Sequence, residues 1–185
     1  SIQIARLARN LYFLEDRGGF YEQMDLELTK ANRLTPEDKL TGIRLNTMTD
    51  LAHYHFLARY TGKTPADYPR LSFYDYTKHS AYFKYAEQYD NVHFTFSWSG
   101  NNKGECQEML KRGHNVAVPF SPYLPPRFLG REVINGDASD YRPMDPTPVI
   151  VGLLEKGKNG TVSDFIVRLD SSIERHLPAD VWGLG

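Results

Sequence analysis

The chain has 185 residues, 41% hydrophobic and 24% charged, a size and balance that fit one globular α/β domain and exclude wholesale disorder. Lysine and arginine number 22 against 23 aspartates and glutamates, so the formal net charge of −1 lacks the bulk basic excess of a non-specific nucleic-acid binder. Cys106 is the only cysteine, which excludes an internal disulfide and a cysteine cage, and fits a reducing cytoplasm. No apolar run approaches the roughly 18 residues of a membrane span, and no signal peptide is visible. The chain opens at Ser1 directly into a helical pattern, from which an additional N-terminal segment is expected.

The elements alternate. Ile4, Leu7, Ala8, Leu11 and Leu14 fall at helical spacing. Asp16 to Gly19 interrupts, and a second helix runs to about Asn32 with Phe20, Met24, Leu26 and Leu28 as its apolar positions. Thr35-Pro36 reads as an N-cap with proline at the first helical position, opening a single turn. A short strand follows at Ile43 to Asn46, then a helix at about 49–60. A second strand spans Leu71 to Tyr76, with a helix at 79–89. The third strand is Asn91 to Ser99, followed by a helix at 102–112 that Gly113 can cap. The fourth strand is Val116 to Phe120, and Pro122, Pro125 and Pro126 open a long loop. Arg131 to Ile134 adds a short strand. Val149 to Leu154 reads as a fifth main strand, apolar on both faces as a buried parallel strand should be. Gly157 to Gly160 is a turn into a last strand at Ser163–Leu169.

Strands alternating with helices predict right-handed βαβ units and a parallel sheet, with the main strands as parallel neighbours. An open doubly wound sheet and a part-barrel both satisfy the pattern. Because no glycine-rich dinucleotide loop follows any strand, the favoured architecture is a parallel β/α part-barrel of TIM type, complete or incomplete.

The third strand is the most informative. Val92, Phe94, Phe96 and Trp98 alternate with His93, Thr95, Ser97 and Ser99. In a β/α sheet the aromatic row should pack on helices, leaving the polar row to line a ligand site. The competing reading is an antiparallel strand with one solvated face. On the first strand Arg44 and Asn46 share a side and Asp50 follows, while the second ends in Asp75-Tyr76-Thr77-Lys78. Polar groups at successive strand ends are where barrel enzymes assemble sites. Candidate ligand-binding residues are therefore Arg44, Asn46, Asp50, Asp75, Lys78, Thr95, Ser97 and Ser99, of which Arg44, Asn46, Asp75, Lys78, Ser97 and Ser99 are expected to converge on one cavity. Register leaves open whether Asp75 or its neighbours Tyr74 and Tyr76 point inward. The bland alternative makes Asp50 and Thr77 helix caps, and an inward Arg44 would need an anionic partner.

Other constellations carry less. His53 and His55 lie two apart, off a common helix face, and read as packing and surface. His79 reads as a helix start and His114 as a loop residue. Tyr82, Tyr85 and Tyr89 form a helical stripe suited to core or rim. Tyr74 and Tyr76, with Lys78 and Lys84, could stack a base. Asp137, Asp140, Arg142 and Asp145 make a polar loop of the kind that binds metal or a ribose, although loops are acidic by default.

Across these stretches the sequence resembles the gene-product-88 family of phages and mobile elements. The resembling segments are Ala5-Arg6 with Leu11 to Arg17, Arg44 to Asp50, Phe73 to Lys78, Thr95 to Ser99, Asn115 to Val118, Ile134 to Asp140 and Asp145 to Lys158. The resemblance implies a radical-SAM-like part-barrel, with S-adenosylmethionine as ligand and an iron–sulfur cluster held by cysteines upstream of Ser1. This chain departs from that pattern in having no cysteine trio. Three functions follow as expectations: an enzyme-like part-barrel binding a small anionic or nucleotide-like ligand, a phage nucleic-acid-binding or processing protein without a cofactor, and a host-interaction protein without catalysis. All three are placed in the cytoplasm of the host cell, with no membrane partner.

Overall fold

The computed structural model describes residues 2–46, 49–156 and 165–170. The chain divides into two compact units, one of residues 1–74 with 84–93 and one of residues 75–83 with 94–185. The helices are α1 (Ile2–Glu15), α2 (Arg17–Leu34), α3 (His53–Thr61), α4 (Phe83–Gln88) and α5 (Lys103–Lys111). The strands are β1 (Thr41–Ile43), β2 (Leu71–Thr77), β3 (Val92–Ser97), β4 (Asn115–Ser121), β5 (Arg127–Phe128), β6 (Arg131–Asn135), β7 (Ile150–Leu154) and β8 (Val167–Arg168). They form an eight-stranded sheet in the order β1-β2-β3-β4-β7-β6-β5, with β8 on β4.

The sheet is mostly parallel. β1 pairs parallel with β2, β3 with β4, β4 with β7 and with β8, and β6 with β7, while β5 and β6 form an antiparallel hairpin. The fold is thus α/β, as the alternation of strands and helices requires. β6 and β7 approach closely because Gly136 has no side chain: a Cβ there would stand 2.9 Å from the Gly152 carbonyl oxygen and against Val151.

In the first unit α1 stops at Glu15, and Asp16 caps α2 by accepting the Gly19 N–H at 2.9 Å. The interruption expected at Asp16 to Gly19 therefore shrinks to one capping residue. α2 ends at Thr35, whose hydroxyl donates back to the Ala31 carbonyl at 2.9 Å and lies 2.7 Å from the Thr41 hydroxyl. Thr35 thus closes one helix and anchors β1, and the single turn expected after it is present, the Lys39 N–H donating to the Pro36 carbonyl at 3.2 Å. The unit's core holds Tyr21, Leu28, Tyr54, Leu57, Tyr68, Leu71 and Phe73. Tyr21 stacks on Tyr60 at 5.8 Å and meets the His53 Nδ1 at 2.9 Å through its hydroxyl. His53 is buried and burial pushes its imidazole from the ordinary 6.5 down to about 4, whereas His55 is exposed. Two expected core faces differ. Ile4, Leu7, Leu11 and Leu14 of α1 are exposed, and so is Leu26 of α2, whose buried residues are Tyr21 and Leu28.

In the second unit Phe94 and Phe96 lie 5.6 and 6.0 Å from the ring of Phe83, the first residue of α4. Phe96 is fully buried and Thr95 is 3% exposed. The parallel pairing to β4 removes the antiparallel reading of β3, and burial of Thr95 shows that its polar row is not simply a solvated face. Trp98 departs from its row: it lies beyond the strand end and packs edge-on against Phe128 of the β5–β6 hairpin at 5.7 Å. Val116, Val118, Phe120, Ile150 and Val151 are buried in this unit, as are Cys106, Met109 and Leu110 of α5. The first strand is shifted to Thr41–Ile43, the third shortened to Val92–Ser97, and the expected turn at 157–160 lies outside the described residues, as does the start of the expected last strand, of which Val167–Arg168 is observed.

Candidate functional site

The loop after β1 is organised by an amide. Arg44 lies one residue beyond the strand, exposed, and its Nε donates to the Asn46 carbonyl at 3.0 Å. The inward orientation expected of Arg44 does not hold, because β1 has already ended. Asn46 is 5% exposed. Its Oδ1 accepts from the Thr49 hydroxyl at 2.7 Å and from the Leu51 N–H at 3.0 Å, while its Nδ2 donates to the Leu51 carbonyl at 3.0 Å. Such a side chain substitutes for a missing backbone ladder. Asp50 is half-buried in the same loop, but Ala52 occupies the N-cap of α3, so Asp50 is not its cap.

In the second unit Asp75 is 1% exposed near the C-terminal end of β2, and its Oδ1 accepts from the Tyr76 N–H at 3.1 Å. Thr77 is buried, with its hydroxyl accepting from the His79 N–H at 2.9 Å in a local turn, and Lys78 is exposed. Neither Thr77 nor Asp50 is a helix cap. Thr95 lies inside β3, Ser97 is its last residue and Ser99 follows in the loop. Asn102 fixes that loop: Nδ2 donates to the Ser97 carbonyl at 3.0 Å and Oδ1 accepts from the Ser99 N–H at 2.8 Å. The Ser99 hydroxyl is spent on Asn101 Oδ1 at 2.8 Å, while that of Ser97 makes no hydrogen bond to any described residue. Within this unit the structure therefore sets Asp75, Lys78, Ser97 and Ser99 at the ends of β2 and β3, which neighbour in the sheet. Thr95 sits deeper.

The same edge continues with Asp137, from the polar loop that the sequence singles out before β7. Its Oδ2 accepts from the Leu154 N–H at 2.8 Å and its Oδ1 lies 2.7 Å from Lys156 Nζ. Burial alone would raise the Asp137 carboxyl, but Lys156 and the Leu154 N–H outweigh it and hold the group below the usual carboxylate range. Beyond it, Arg168 reaches Glu155 at 3.4 Å.

Arg142 belongs to the same polar loop. It is 5% exposed, and its Nη1 lies 3.2 Å from Asp145 Oδ2. The contact lacks hydrogen-bond geometry: Arg142 Nε, Arg142 Nη1 and Asp145 Oδ2 are all buried without a hydrogen-bond partner. Burial raises the Asp145 carboxyl, with Arg142 pulling against it. In sequence Arg142 stands in a polar loop among acidic and proline residues, a pattern that does not indicate its burial.

Among the described residues no group of three or more His, Cys, Asp or Glu could hold a metal ion. Cys106 is buried and burial pushes its thiol up to about 12, away from the thiolate that iron–sulfur ligation needs. The residues present do not fit a cluster. Among them, too, no helix is long and apolar enough to cross a membrane. The family model described as Gene product 88 matches residues 2–169. No curated protein and no solved structure matches the chain.

Proposed function

The chain belongs to the gene-product-88 family, and from that footing we propose that it binds a small anionic or nucleotide-like ligand at the C-terminal ends of its parallel strands. The observation that carries this reading is Asp75, a carboxylate 1% exposed near the end of β2, beside a β3 loop already shaped by Asn102. A buried carboxylate at the C-terminal end of a parallel strand stands where α/β proteins bind ligands and where ionisable groups are tuned for work. Asp75 would accept from a ribose hydroxyl or an ammonium, the Ser97 hydroxyl would fix orientation, and Lys78 would hold a carboxylate or phosphate. We favour the part-barrel form of the sheet for the reason that no glycine-rich dinucleotide loop follows its strands.

S-adenosylmethionine is the specific ligand proposed, since one molecule offers ribose, ammonium and carboxylate to these three kinds of group. No step is routed through an iron–sulfur cluster. Titration calorimetry with S-adenosylmethionine tests the reading on the full chain, with Asp75→Asn and Ser97→Ala as variants. Saturable heat that either substitution weakens roughly tenfold is expected, the factor a lost charge-assisted hydrogen bond carries. No heat with S-adenosylmethionine or mononucleotides, together with binding of single-stranded nucleic acid, would replace this reading with the nucleic-acid one.

A further inference from the structure

The opposite edge of the second unit's strands carries a separate cleft. Val116, Ile150 and Val133 stand level by register, so the end of α5, which leads into β4, and the β5–β6 turn both lie at the N-terminal edge of the sheet. There Gln107, Leu110, Lys111, Leu129, Gly130 and Arg131 line a cavity of about 250 Å³.

Its charge is unbalanced. Among the described residues neither Lys111 nor Arg131 makes an ion pair or a side-chain hydrogen bond, while Arg142, Lys156 and Arg168 of the same unit each face a carboxylate. Cations gathered at one concavity repel unless an anion enters between them. Gln107 adds an amide, and Leu110 with Leu129 gives the cavity an apolar wall.

The turn is held in an unusual state. Phe128 pairs with Arg131, leaving Leu129 and Gly130 as a two-residue loop with φ of 49° and 78°. Positive φ at both positions favours Asn or Asp followed by Gly, and a leucine there is strained. Strain of this kind gathers at binding sites. Arg127 donates to the Gly130 carbonyl at 2.8 Å and fixes the turn, and a Cβ on Gly130 would meet nothing within 4 Å, so the backbone there borders open space.

We propose that this cleft binds the phosphate of a nucleoside monophosphate, free or at the 5′ end of a nucleic-acid strand. Lys111 and Arg131 hold the phosphate, Gln107 takes a hydroxyl, and the leucines cover one face of the sugar. The volume of about 250 Å³ lies below the roughly 300 Å³ where small-molecule sites begin, which suits a sugar phosphate with the base outside. The strand-end ligand concerns the other edge, so either proposal can fail alone.

The test is titration calorimetry on the full chain with adenosine monophosphate, adenosine, and a short single strand with and without a 5′ phosphate. Wild type is compared with Lys111→Ala and Arg131→Ala. The phosphorylated probes should bind, their unphosphorylated counterparts should bind at least roughly tenfold more weakly, and each substitution should cost a similar factor. The melting temperature of the ligand-free variants should stay near wild type, because neither side chain has a partner to lose among the described residues. Binding of adenosine monophosphate identifies a free nucleotide, and binding of the phosphorylated strand alone identifies a strand end. Equal affinity with and without phosphate overturns the proposal, as do affinities unchanged in both variants or no binding of either phosphorylated probe.

Discussion

Tyr21 and Arg142 are both polar side chains enclosed within their own units, yet they are finished differently. The Tyr21 hydroxyl ends on His53 Nδ1 at 2.9 Å, inside a shell of Phe13, Phe20, Phe56 and Tyr60 rings. Arg142 reaches Asp145 at 3.2 Å but leaves Nε and Nη1 without hydrogen bonds. A buried group that closes its bonds adds order, whereas one that leaves them open depends wholly on its surroundings staying in place. The contrast marks the loop between β6 and β7 as the more vulnerable of the two interiors.

The largest effect should come from that loop. Arg142→Ala leaves Asp145 without its counter-charge and is expected to cost roughly 3–5 kcal/mol in urea unfolding, while replacing both residues by leucine should cost far less. If Arg142→Ala costs under about 1 kcal/mol, the pair carries little and the contrast collapses.

The closed pair gives a pH signature. Burial lowers the His53 imidazole from 6.5 to about 4, so the fold prefers the neutral ring. The stability this contributes is present above the unfolded value and is lost as pH falls from about 6.5 toward 4, by about 3 kcal/mol. His53→Phe removes the titrating group, and its unfolding free energy should be flatter over that interval. An unchanged slope in the variant would show that other groups control the acid limb.

The two asparagine-organised loops sharpen the comparison at intermediate scale. Asn102→Ala strips partners from the Ser97 carbonyl and the Ser99 N–H, and Asn46→Ala does the same to both backbone groups of Leu51. Each should cost about 1–3 kcal/mol in thermal unfolding. Asn102→Ala should also weaken the strand-end ligand, because it disorders the loop that shapes the site. The smallest effect is expected at Leu129, where φ is 49°. Leu129→Asn removes a bulky residue from the left-handed region and should stabilise by about 1 kcal/mol. A loss of stability there would mean that the leucine's packing outweighs its strain.

How much of this was legible depends on what each residue does. β7 was readable because an apolar run from Val149 to Leu154 has few alternatives to a buried parallel strand. β1 was misplaced because Thr41 and Gly42 are exposed and give no apolar alternation. α1 was readable as a helix from spacing alone, but spacing does not say whether anything covers the stripe, and Ile4 and Leu14 stay 68% exposed. Trp98 was sent to a helix because β5, only two residues long, gives no signal of its own. Among site residues, Asp75 and Ser97 lie at strand ends as their positions indicated. Asn46, expected at a strand end, lies in the loop beyond β1, and an amide that closes a loop and one that binds a ligand look alike in sequence. The cleft at Lys111 and Arg131 was invisible because a helix end and a hairpin turn twenty residues apart compose it.

The short pairing of β8 has a bearing on how the protein keeps to itself. β4 spends one side on β7 as far as Phe120, so β8 lies on the side of β3, whose pairing with β4 ends at Ala117. Val167 and Arg168 meet Phe120 and Ser121 there, and the Leu169 N–H donates to the Ser121 carbonyl at 2.8 Å. Without that segment the last residues of β4, among them a fully buried phenylalanine, would offer an open ladder edge to any extended chain nearby. Two residues of strand therefore act as a guard against sheet-to-sheet aggregation.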